Sequence, residues 1–157
     1  MTTSIETYLH DHLARAAFAV DLLGALCRKH EKDALSNKLS PLLVEIEKDR
    51  DELVHLAEVL GIKPGGLKES VARLMEKFSR PKLVNDSNDV FSSFEACETL
   101  ALGILGKKAL WDALSAAIEI PSAQIDFEKL ISRAEQQHKI IEGVRLDLAV
   151  LSLRRTE

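Results

Sequence analysis

The chain has 157 residues, 46% hydrophobic and 29% charged, with a formal net charge of -4. That length and balance suit one folded domain spanning residues 1–157 and give no sign of disorder. Charges of both signs are interspersed, so no basic field exists to hold nucleic acid or an anionic membrane surface.

No run of 18 apolar residues occurs, which excludes a spanning helix. The N-terminal MTTSIETYLHDHL lacks the basic-then-apolar order of a signal peptide. Cys27 and Cys97 both fall inside helical patterns and offer neither a disulfide framework nor zinc spacing. They read as small buried hydrophobes in a reduced, cytoplasmic protein.

Thr3 followed by Glu6 forms a capping-box pattern that opens helix one near residue 4. Its main stripe is Leu9, Leu13, Ala16, Val20, Leu23 and Cys27. A second stripe, Phe18, Leu22 and Leu26, lies nearly opposite and suits either an intramolecular neighbour or a homodimer interface. HEKDALSNK breaks the pattern at residues 30–38, and Ser40-Pro41 marks the first turn of helix two. Its stripe is Leu39, Leu42, Leu43, Ile46, Leu53, Ala57 and Leu60, with Gly61 as a left-handed C-cap.

Pro64-Gly65-Gly66 is a breaker, and a shorter amphipathic helix at 67–79 carries Val71, Leu74, Met75 and Phe78. NDSND at 85–89 offers N-caps for helix three, which runs from Val90 to about Glu119 before Pro121 stops it. Helix four buries Phe127, Leu130, Ile131, Ala134, Ile141, Leu148 and Ala149 and ends near Leu153. The expectation is an all-α fold. Short links make helices one and two, and three and four, antiparallel hairpins, while the long link between two and three crosses the bundle.

Helix three is apolar on nearly all sides, which places it mid-bundle. On the face of Phe91, Phe94, Ala101, Leu102 and Leu105 sits Glu98. A carboxylate buried there needs a metal, a cation or a proton. Arg50 lies in the helix-two stripe between Ile46 and Leu53, and Arg145 in the helix-four stripe between Ile141 and Leu148. Both guanidinium groups stay charged and seek a carboxylate. The residues therefore predict a buried network of Glu98, Arg50 and Arg145, with His138 nearby, flanked by Asp49 and Lys108.

Helix two also contains Glu52-Leu53-Val54-His55 and helix four Glu135-Gln136-Gln137-His138. With Glu98 on helix three and Asp21 on helix one, this resembles the ferritin-like di-iron-carboxylate family, whose bundles have one long crossover. EIEKDRDEL and ALGILGKKALWDAL look like stretches of uncharacterised bacterial proteins with ferritin-like helices, a likeness that implies no activity and leans toward a metal-free bundle. The di-iron family resemblance implies iron or manganese held by Glu98, Glu135, His138, Glu52 and His55, with chemistry in iron handling or peroxide stress. Facing counts against a full set: Glu52 and Asp21 stand about 100° from their stripes and His55 about 160°.

The preferred reading is a non-enzymatic bundle without a cofactor, its metal centre replaced by the Glu-Arg network. It would act by self-association through Phe18, Leu22 and Leu26 or by binding a partner. His10, His12 and His30 read as surface histidines, Gly103 and Gly106 as points of close helix approach, and Trp111 as core or interface.

Overall fold

The N-terminus folds as its side chains dictate. Thr3 Oγ1 accepts from the Glu6 N–H at 3.3 Å, and Glu6 Oε2 accepts from the Thr3 N–H at 2.6 Å. This box satisfies donors that the first helical turn leaves open. It starts α1, Ser4–Lys29. In the computed structural model, which describes residues 1–63, 65, 69, 72, 73, 76 and 90–155, three further long helices follow. They are α2 (Ser36–Val59), α3 (Val90–Ala117) and α4 (Phe127–Leu153). No strand occurs among the described residues, and no helix among them is long and apolar enough to cross a membrane.

α2 begins about one turn earlier than Ser40-Pro41 suggests, so Pro41 lies inside the helix. Lys38 N–H reaches Leu35 O at 3.0 Å and Asn37 N–H reaches Ala34 O at 3.3 Å. These i to i−3 bonds tighten the opening turn. Leu39 is fully buried, and its packing draws that turn into the helix against proline's preference. At the other end Gly61 adopts φ 70°. Its N–H bonds Glu58 O at 3.0 Å and the Ile62 N–H bonds Ala57 O at 2.8 Å. This is a Schellman cap, with buried Ile62 as its apolar anchor. Asp126 caps α4 by accepting from the Lys129 N–H at 3.1 Å.

Each helix packs against two others, in the ring order α1, α2, α4, α3. Lys29 Nζ donates to Ser92 Oγ at 2.8 Å and His30 Nε2 lies 2.9 Å from Ser93 Oγ. The C-terminal end of α1 therefore meets the N-terminal end of α3. Asp49 meets Arg133, and Glu45 meets Gln137, so α2 and α4 are also antiparallel. The chain thus leaves α2 at one end of the bundle and enters α3 at the other. The apolar residues of the expected crossover helix, Val71, Leu74, Met75 and Phe78, and the caps at 85–89 lie outside the described residues.

The interior is divided in two. One apolar cluster holds Leu23, Leu26, Leu39, Leu42, Phe94, Cys97, Leu100 and Ile141. The other holds Leu9, Leu13, Leu53, Leu56, Leu110, Trp111, Phe127 and Leu130. Between Ile46 and Leu53 on α2, and between Ile104 and Leu110 on α3, the filling is polar.

Candidate functional site

The buried stripe of α2 runs Leu39, Leu42, Ile46, Asp49, Leu53, Leu56, and that of α4 runs Leu130, Ala134, Gln137, Ile141, Val144, Leu148. Steps of three and four keep one face inward. The same periodicity that buries the leucines therefore carries Asp49 and Gln137 into the bundle. The Asp49 side chain is 1% exposed, and Gln137 is fully buried.

Three hydrogen bonds and one further guanidinium contact converge on that carboxylate. Lys107 Nζ, from α3, donates to Asp49 Oδ2 at 2.5 Å and to Gln137 Oε1 at 2.5 Å. Gln137 Nε2 donates to Asp49 Oδ2 at 2.9 Å and to Glu45 Oε2 at 3.2 Å. Arg133 Nε donates to Asp49 Oδ1 at 2.7 Å, and a second guanidinium nitrogen of Arg133 lies against the same oxygen. Lys107 and Arg133 lay aliphatic stems through the bundle wall and bring only their charged ends to the layer. Two cations face Asp49, and Glu45, reached through Gln137, offsets the excess. Burial pushes the Lys107 ammonium below its ordinary pKa, while the Asp49 carboxylate opposes that shift.

Such an arrangement has little chemistry of its own. Both Asp49 oxygens are occupied by N–H donors, so abstracting a proton or binding a metal there would require dismantling the layer. The thiol of Cys97 is pushed up to about 12 by burial, which leaves it un-ionised and unreactive. Among the described residues no group of three or more His, Cys, Asp or Glu side chains could hold a metal ion.

The expected Glu98 network needs correction. Glu98 is not buried: its side chain is 51% exposed. It does pair with Arg145, whose guanidinium donates to Glu98 Oε2 at 3.1 Å and holds Glu142 in a two-pronged contact at 2.8 and 2.6 Å. That guanidinium also lies 5.8 Å from the centre of the Phe94 ring. Arg50 turns aside to its neighbour Asp51, at 3.0 Å, and plays no part.

The error is one of rotational phase. Leu102, on the face that carries Glu98, is 65% exposed, and Phe91 and Leu105 are exposed too. Phe94 and Ala101 of that face are buried as expected, but the rest of the inward face of α3 is Cys97, Leu100, Ile104, Trp111 and Leu114. A helix apolar all round holds no phase information, so its pattern could not tell core from surface.

The family's ligand positions also stay apart. Glu135 is exposed and 3.7 Å from Lys108, and His55 is exposed beside Glu58. Glu52 and His138 are only half-buried, and Asp21 is exposed on α1. His138 is displaced from the core by Gln137, one residue earlier. On α1, Leu26 is fully buried in the chain's own core and is unavailable to a partner, while Phe18 and Leu22 are half-buried. His12, expected at the surface, is buried edge-on against Tyr8 at 4.7 Å.

Sequence reasoning missed Lys107, Arg133 and Gln137 and gave Asp49 only a flanking place. A usable signal existed: the 4-3-4 spacing of Leu42, Ile46, Asp49 and Leu53 selects Asp49 over Arg50 as the inward residue. Comparison of the chain with protein-family models, with curated proteins and with solved structures gave no match.

Proposed function

We propose that this chain is a ferritin-like bundle that works by binding rather than by catalysis. In this reading the position of a bundle's metal centre is taken by Asp49, Lys107, Arg133 and Gln137. The helix order supports the family likeness: two antiparallel hairpins are joined by a link that connects opposite ends of the bundle, as in ferritin-like folds. The observation that carries the reading is the saturation of Asp49. Its charge is met by an ammonium and a guanidinium group, so the need for a bridging metal ion has gone.

Metal analysis tests this on protein produced in medium supplemented with iron and manganese. The expected result is far less than one equivalent per chain and no metal-dependent consumption of peroxide. Two equivalents per chain, lost in Glu98→Gln or Glu135→Gln, would instead establish a di-iron or di-manganese protein of the kind the Glu-x-x-His spacing implies.

A further inference from the structure

Beside the polar layer lies a cavity of about 270 Å³ between α1, α2 and α3. Its apolar wall includes Ala16, Ile46, Leu53, Leu102, Ile104 and Trp111. The polar side chains that line it are His12, Arg15, Asp49, Arg50, Lys107 and the indole of Trp111. The carboxylate among them is already engaged. Asp49 is saturated by Lys107, Arg133 and Gln137.

Donors remain. Trp111 is fully buried, and its indole N–H has no acceptor among the described residues. Arg15, exposed to solvent where it lines the cavity, makes no hydrogen bond or ion pair among them either. Lining charge is therefore net positive, with Arg15, Arg50 and Lys107 against Asp49. Ligand sites are characteristically mostly apolar with a few convergent polar groups, and a buried donor without an acceptor, here the Trp111 indole N–H, is rare enough to need an explanation.

We infer that this cavity binds a small apolar monocarboxylate, its hydrocarbon part against Ile46, Leu53 and Leu110 and its carboxylate accepting from Arg15 and the Trp111 indole N–H. This deepens the reading of the chain as a binding bundle and rests on it. Benzene fills a cavity of about 150 Å³, so proportion gives a ligand of roughly ten non-hydrogen atoms. Octanoate and phenylacetate have that size, one with a chain body and one with a ring. Arginine suits such a head because its donors match a carboxylate's two oxygens.

The chain contains one tryptophan, and it lines the cavity, so its fluorescence reports binding directly. Titration of the full chain with octanoate and with phenylacetate is expected to give a saturable change in Trp111 emission and a raised melting temperature. Octanol and octylamine, which lack the anion, are expected to bind at least about tenfold more weakly, the factor that about 1.4 kcal/mol produces. Arg15→Ala should weaken the acids by a similar factor and leave octanol unchanged.

A Cβ added at Gly106 meets nothing within 4 Å, and Gly106 lines the cavity, so Gly106→Leu, with its helicity checked by circular dichroism, should abolish the fluorescence change. Absence of saturation by either acid at millimolar concentration would overturn the proposal. So would octanol binding as tightly as octanoate, or Gly106→Leu binding as the parent does. If the metal analysis finds two equivalents while the acids still bind, the non-catalytic reading fails and the cavity assignment stands.

Discussion

Replacing Asp49 with Asn keeps nearly the same shape at the centre of the bundle and removes one charge. The two donors of Lys107 and Arg133 then face a neutral amide, and the pair of donors gathered on one of the carboxylate's two oxygens meets an N–H instead. The Asp49 side chain is 1% exposed, so no water can take over its role, whereas Lys107 and Arg133 are 15% and 19% exposed. Removing one partner from a buried ion pair costs roughly 3–5 kcal/mol, because the stranded charges keep their desolvation penalty. We expect the lower half of that range, since the two cations can withdraw partly toward solvent along their stems.

For a chain of this length, about 3 kcal/mol lowers the melting temperature by roughly 6–12 °C. Urea denaturation followed by circular dichroism measures the loss. Asp49→Leu combined with Lys107→Met and Arg133→Met should recover most of it, because an apolar layer of similar volume has no charge to strand. Losses that simply add across the three positions would refute the coupling. A cost below about 1 kcal/mol for Asp49→Asn would show that the layer carries no structural weight.

Three other outcomes follow from the same coordinates. Burial lowers the His12 pKa to about 4, with Arg15 adding to the shift and Asp11 opposing it. The unfolded chain therefore takes up this proton first as pH falls below about 6.5, and stability present above that pH is lost between 6.5 and 4. With screening through the adjacent cavity the loss should be about 1–2 kcal/mol, and His12→Leu should lose that much less between pH 7 and 4.5; parallel losses would remove His12 from the account. Gly61→Ala places a Cβ at φ 70° and should cost about 1–2 kcal/mol by urea melts, and an unchanged midpoint would mean the Schellman cap can rearrange freely. If self-association runs through the half-buried Phe18 and Leu22, the chain will scatter light as a dimer and Phe18→Glu with Leu22→Glu as a monomer; a mass that does not change rules out that face.

Local signals were legible in the sequence wherever they had a stereochemical cause. The Thr3-Glu6 box, the left-handed Gly61 and the four long helices all appear as the residues imply. Amphipathic α2 and α4 also gave most of their core, yet a single-residue slip there exchanged Asp49 for Arg50 and Gln137 for His138. One residue is about 100° on a helix, enough to turn a surface charge into a buried one.

α3 was the least legible element for the opposite reason. With Leu102 and Leu105 outside and Leu100 and Ile104 inside, its composition is the same on both faces. Only contacts with its neighbours fix its rotation. Lys107 reads in sequence as one of a pair of exposed lysines, and nothing local distinguishes it from Lys108, which faces Asp112 at 2.9 Å. Polar layers built across three helices are long-range features, and α2 and α3 bring Asp49 and Lys107 together across 58 residues of chain.

Thermal melts with and without divalent metal test the central claim most directly. A native-state site held at a hundred times its dissociation constant would add about 2.7 kcal/mol, or roughly 5–11 °C for a chain of this size. If ammonium and guanidinium groups have taken the metal's place, melts in iron(II), in manganese(II) and in a chelator should coincide. A metal-dependent rise of that size, abolished by Glu98→Gln, would contradict the account.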